Sequence, residues 1–87
     1  MENSETQRNI CNSLFSKSIE SMEQGKPISV VRDLLLETSD ALVKLSKIDS
    51  TLCEKAIAKA RLLLKCVMTI RENSSYNSVY TQLTGNA

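Results

Sequence analysis

Apolar residues recur at three- and four-residue steps along most of this chain, and no Gly or Pro interrupts them between Pro27 and Thr84. That spacing stacks side chains on one face of a helix, so the pattern predicts an all-α protein. The first helix is expected over about Glu5 to Gln24, with Ile10, Cys11, Leu14, Phe15, Ile19 and Met22 on its apolar face. Ser4-Glu5-Thr6-Gln7 has the form of a capping box that would start it. Gly25-Lys26-Pro27 would end it, since Gly takes the left-handed conformation after a last turn and Pro cannot continue the ladder.

A second helix is expected from Pro27, at the first helical position, to Ser46 or Ile48. Ile28, Val30, Val31, Leu34, Leu35, Ala41, Leu42, Leu45 and Ile48 fill one arc, with Thr38 the polar residue inside it. A stricter heptad of Ile28, Val31, Leu35, Thr38, Leu42 and Leu45 lies within that arc, too short for a coiled coil. Asp49-Ser50-Thr51 supplies the break, with Thr51 to Glu54 as a capping box or Asp49 as the cap. The third helix, about Leu52 to Glu72, has the widest arc: Leu52, Cys53, Ala56, Ile57, Ala60, Leu63, Leu64, Val67, Met68 and Ile70. A wide arc predicts more than one neighbour, which makes this the expected central helix. Leu34, Leu42, Leu63 and Val67, near the centres of their arcs, are expected to be buried.

After Asn73-Ser74-Ser75, Tyr76, Val79, Tyr80 and Leu83 share one face of a short fourth helix, although Tyr, Val and Thr also favour strands. Short connections predict an antiparallel bundle of three helices with the fourth laid across one end or groove. One domain is expected over residues 1–87, frayed at 1–4 and 84–87. The alternative arrangement is an elongated helical hairpin that completes its core by dimerisation.

Composition sharpens that alternative. A chain of 87 residues buries only about 60% of its unfolded surface. Its aromatic residues are Phe15, Tyr76 and Tyr80 alone. So thin a core predicts further burial against a second copy or a protein partner. The net charge of +1 supplies no general field for nucleic acid or anionic membrane. Absence of His removes the commonest general base and metal ligand. Cys11, Cys53 and Cys66 have no CxxC spacing and fit a reducing compartment. No apolar run approaches the ~20 residues of a membrane span. The start, Met1 to Glu5, has neither the basic nor the apolar region of a signal peptide. Cytoplasmic residence is the expectation, or nuclear in a eukaryotic cell.

No catalytic, cofactor-binding or metal site is read, and no small-molecule substrate is expected. Cys66 projects on the polar side of the third helix and is read as a partly exposed thiol. Leu36 and Val43 stand outside the main arc of the second helix, and Leu62 sits among the charges of the third, so these three are interaction residues. Tyr76 and Tyr80 suit either closing the bundle or docking a partner. Lys55, Lys59, Arg61 and Lys65 give the third helix a basic face that could follow a phosphate backbone. Asp33, Glu37 and Asp40 make the second helix acidic.

The function expected is a non-enzymatic interaction protein, a small adaptor, chaperone-like subunit or regulator acting through helix faces, with a homodimer or another protein as partner. The second reading is a small dimeric nucleic-acid-associated regulator using the basic face. A third is an immunity-like bundle at a membrane surface, which rests on size and helicity alone.

Overall fold

The computed structural model describes residues 3–85, and among these the chain is all-α. Its helices are α1 (Ser4–Glu23), α2 (Ile28–Ile48), α3 (Cys53–Asn73) and α4 (Asn77–Thr84). The segment read ambiguously at 76–83 is therefore helical from Asn77 onward rather than extended, with Tyr76 as its cap residue.

The α1 cap lies one residue earlier than the expected capping box. Asn3 is extended, and its side-chain oxygen accepts from the Glu5 amide at 2.7 Å. Asn caps as well as Ser, which releases both box residues for other bonds. The Ser4 hydroxyl donates to the Asp49 carboxylate, and Gln7 is buried, its amide donating to the Ala41 carbonyl at 3.0 Å. At the other end Gly25 has φ 67. Lys26 N–H reaches Ser21 O at 2.9 Å and Gly25 N–H reaches Met22 O at 3.1 Å. Those two bonds form a Schellman motif, as the Gly-Lys-Pro sequence requires.

Pro27 is the cap residue of α2 rather than its first helical residue, with ψ 149. Its carbonyl receives the Val30 and Val31 amides. The Thr51 to Glu54 capping box does not form. Asp49 is the organising residue instead: its Oδ1 accepts from the Thr51 amide at 2.9 Å and from the Thr51 hydroxyl. Ser74 takes the left-handed conformation after α3, and the Ser75 hydroxyl accepts from the Asn77 amide at the start of α4. Expected fraying falls outside the described residues at 1–2 and 86–87. Ser4 is held by Asp49, and Thr84 ends α4 with its hydroxyl on the Tyr80 carbonyl.

The central helix is α2, not α3. Both α1 and α3 pack along it, in the opposite sense to it, while no Cα of α1 comes within 8 Å of one in α3 among the described residues. The expected heptad marks this seam. Val31, Leu35, Thr38, Leu42 and Leu45 are buried, and Ile28 is half-buried at its start. Buried polar groups pin both interfaces. The Ser18 and Thr38 hydroxyls meet at 3.4 Å between α1 and α2, and Ser39 donates to Ala60 O at 3.5 Å between α2 and α3. Ala56, Ala60, Ser39 and Ser46, all buried and small, let the α2 and α3 backbones approach closely. The short α4 crosses from α3 to α1, and Val79 is completely buried there.

Several expected exposures change. Leu42, Leu63 and Val67 are buried, but Leu34 is only half-buried, at the edge of the α2 seam. Cys66 is 1% exposed rather than partly exposed. It lies two turns beyond Lys59, whose ammonium sits 4.2 Å from the centre of the Phe15 ring on α1. The flank of α3 turned toward α1 therefore carries Cys66 as well. Ile10, Val30, Leu64 and Met68, all placed on apolar arcs, are exposed.

Candidate functional site

Two surfaces combine apolar side chains with ordered charge. The first lies on the side of the α2–α3 pair away from α1. Round α2, Thr38 and Ala41 meet α1 and Ser39 meets α3. At about 100° per residue, Val43 and Leu36 come next in the same sense. Round α3, Lys59 meets α1 and Ala60 meets α2, and Leu64, Ile57 and Met68 follow. Both sets therefore face the same way. The Ser39–Ala60 bond sets their levels along the antiparallel pair: Leu36 falls level with Leu63 and Leu64, Val43 with Ala56 and Ile57, and Arg32 close to Met68.

Leu36 is 37%, Leu64 45% and Met68 59% exposed, above the half-buried Val43 and Ile57. The stripe is edged on α2 by the exposed carboxylates Asp33, Glu37 and Asp40, followed by the exposed Lys44 and Lys47, and on α3 by the exposed cations Arg61 and Lys65, with exposed Glu54 and Glu72 on either side of them in sequence. Asp33 also pairs with Arg32 at 3.7 Å along α2, an exposed contact of little energetic weight. The sequence found Leu36 and Val43 here but assigned Leu64 and Met68 to the core.

The second surface is an open cleft between the N-terminal halves of α1 and α3. Its floor is Leu42 and Leu45 of α2, and its volume is ≈ 170 Å³. Cys11, Leu52 and Ala56 extend the apolar lining, Asn12 stands at its side, and Arg8, Lys55 and Lys59 supply the charge. No carboxylate among the described residues lines it. The cleft exists because α1 and α3 both pack on α2 but make no Cα approach within 8 Å of each other among the described residues. At the opposite end α4 fills the same gap, but at this end nothing in the described chain does.

Burial pushes the Cys11 thiol pKa up against the pull of the Lys59 charge, and burial also raises that of Cys66. Both therefore remain protonated thiols near neutrality, since removal from water disfavours the thiolate. The three cysteines are unpaired, and no cluster of three or more potential metal-ligating His, Cys, Asp or Glu side chains occurs among the described residues.

The remaining predicted residues separate. Leu62 is half-buried against the core on the α1-facing flank of α3, three residues beyond Lys59 and away from Leu36. Tyr76 donates to the Lys26 carbonyl and Tyr80 to the Glu23 carboxylate, each at 2.8 Å. Their rings pack on the core, so both tyrosines close the bundle by docking α4 on the α1–α2 turn. The expected basic face divides. Lys55 and Lys59 line the cleft, whereas Arg61 and Lys65 lie beyond the apolar stripe on the other flank. Arg8, contributed by α1, joins the first pair through tertiary structure, which helical periodicity in α3 alone could not indicate.

No helix among the described residues is long and apolar enough to cross a membrane. No family model, curated protein or solved structure matches this chain.

Proposed function

We propose that this chain is a non-enzymatic protein–protein interaction module that pairs with a second copy through the outer face of α2 and α3. The exposed Leu36–Leu64–Met68 stripe carries the reading. Three large apolar side chains aligned over half-buried ones form a continuous surface whose removal from water favours association. Its edges also complement themselves. A two-fold axis along the helices would lay the acidic Asp33–Asp40 stretch of α2 in one copy against the basic Arg61–Lys65 stretch of α3 in the other. By the Ser39–Ala60 level, Asp33 stands one residue from Lys65 and Asp40 two residues from Arg61. Opposed charge selects this register over its alternatives.

Such pairing would complete a core short of aromatic residues, turning the helical bundle into a dimeric adaptor, chaperone-like subunit or regulator. The three unpaired thiols fit a reducing compartment such as the cytoplasm.

The test is sedimentation over a wide concentration range for wild type, Leu36→Glu and Met68→Glu. Both positions are exposed in the single chain, so the variants should keep their helicity while losing association. Each carboxylate would enter the interface without a partner. A wild type that remains monomeric at high concentration, or two variants that still pair, would overturn the proposal.

A further inference from the structure

We infer that the cleft between α1 and α3 is a second docking site, which receives an acidic amphipathic helix from a partner protein. The inference deepens the interaction reading by giving the partner a chemistry, and it concerns a surface separate from the α2–α3 stripe. Two observations support it. The first is charge: Arg8, Lys55 and Lys59 surround an apolar floor, and no carboxylate among the described residues occurs in the lining. An occupant with apolar residues below and carboxylates along its sides would satisfy both features.

The second observation is the way the chain fills the same gap at its other end. There α4, a helix of eight residues, crosses from α3 to α1. It inserts Val79 completely, with tyrosine hydroxyls bonded on the α1–α2 side. A volume of ≈ 170 Å³ over Leu42 and Leu45 accommodates one large apolar side chain. A short partner helix could therefore repeat the α4 arrangement, with carboxylates replacing hydroxyls as its polar anchors.

The probe is a fluorescein-labelled peptide of about 14 residues, with Leu at helical i, i+3, i+4 and i+7 spacing and Glu at most other positions. A companion has Lys in place of Glu. Binding to the full chain is measured by fluorescence anisotropy at low and high salt. The Glu peptide should bind, more weakly as salt rises, and the Lys peptide should not. Arg8→Glu together with Lys55→Glu should weaken the Glu peptide by at least about tenfold. Asn12→Trp should do the same by filling the cleft from its exposed side. Leu36→Glu should leave peptide affinity unchanged, so failure of the dimer face and failure of the cleft are separable.

Equal binding of the two peptides, no binding of the Glu peptide, or unchanged affinity in both cleft variants would overturn the inference. So would duplex DNA or anionic vesicles binding in place of the peptide and releasing when Arg8 and Lys55 are reversed, because the cleft would then serve phosphate.

Discussion

Tyr80 of α4 donates its phenol to the Glu23 carboxylate at the end of α1 across 2.8 Å. The bond spans 57 positions in sequence and joins the short last helix to the last turn of α1. Beside it, Tyr76 holds the Lys26 carbonyl. The arrangement explains why an eight-residue helix is stable here, although a free helix of that length is not. Its apolar wedge and two hydroxyl anchors make it an element of the bundle.

Val79→Ala should therefore destabilise more than Tyr80→Phe. Val79 is fully buried, so its truncation removes two methyl groups and leaves a cavity, at a cost of about 2 kcal/mol. The Tyr80–Glu23 bond is at the surface, where water can replace the lost partner. Urea denaturation of the two variants provides the comparison. Equal losses would mean that the hydroxyl rather than the wedge anchors α4.

The same tyrosine predicts an alkaline effect. Its bond to Glu23 raises the phenol pKa, followed by burial and the nearby carboxylate charge. A pKa raised on folding adds stability below the ordinary tyrosine value, about 10, and that contribution is lost as pH rises through the folded value. Wild type should therefore lose more stability than Tyr80→Phe across that range in thermal melts.

Asp49 works in the acid direction. The Ser4 hydroxyl holds its carboxyl below the ordinary carboxylate range, helped by Thr51 and by nearby amides, with partial desolvation opposing them. A depressed folded pKa adds stability above the unfolded value and loses it as pH falls through the folded one. Asp49→Asn should flatten the acid limb of the melting profile and loosen the Ser4 tie between α1 and the α2–α3 turn. A profile identical to wild type would show that this carboxylate contributes nothing to acid sensitivity.

Helix type and approximate extent are legible because they follow local spacing and turn chemistry. Gly25 after the last turn of α1 and the Tyr76-Val79-Tyr80-Leu83 face are examples. The α1 cap is misread because Asn3 and Ser4 are equally good caps, and the choice depends on Asp49, 45 residues beyond Ser4. Assigning neighbours to arcs is beyond periodicity. The width of the α3 arc suggests a central position, yet its excess is the unpartnered Leu64–Met68 flank. Cys66 looks polar from its position on the helix, yet it is buried, on the flank of α3 that also carries Lys59. Likewise the cleft combines Arg8 with Lys55 and Lys59 only because α1 and α3 both pack on α2.

Core truncations should follow the observed burial rather than position in the arc. Leu63→Ala removes a fully buried side chain and should cost about 2–5 kcal/mol. Leu34→Ala starts from a half-buried position and should cost clearly less. Denaturant midpoints at constant m-value would give the order, provided that unfolding is followed at one protein concentration. A dimer's apparent stability depends on concentration, so a comparison at unmatched concentrations would mix association with packing.

The edges of the α2–α3 stripe make a sharper prediction than its apolar centre. Glu at position 36 would disrupt almost any apolar contact, whatever its geometry. Charge reversal instead reads the register. In the proposed dimer Asp33 of one copy lies near Lys65 of the other, since the Ser39–Ala60 bond sets these two residues within one position of the same level. Asp33→Lys should weaken pairing by placing like charges together, at a cost of up to about 1 kcal/mol at a solvent-exposed edge. It also removes the local Arg32–Asp33 contact, but that loss is confined to one chain and should leave association unaffected. Lys65→Asp alone should weaken pairing similarly. Combining Asp33→Lys with Lys65→Asp should restore it, because each reversed charge again meets its opposite. Both effects should shrink at high salt, where exposed charges are screened. Sedimentation equilibrium at low and high salt measures all four chains. If the double variant pairs no better than the singles, Asp33 and Lys65 are not opposed, and a parallel two-fold arrangement is wrong even where the stripe itself drives association.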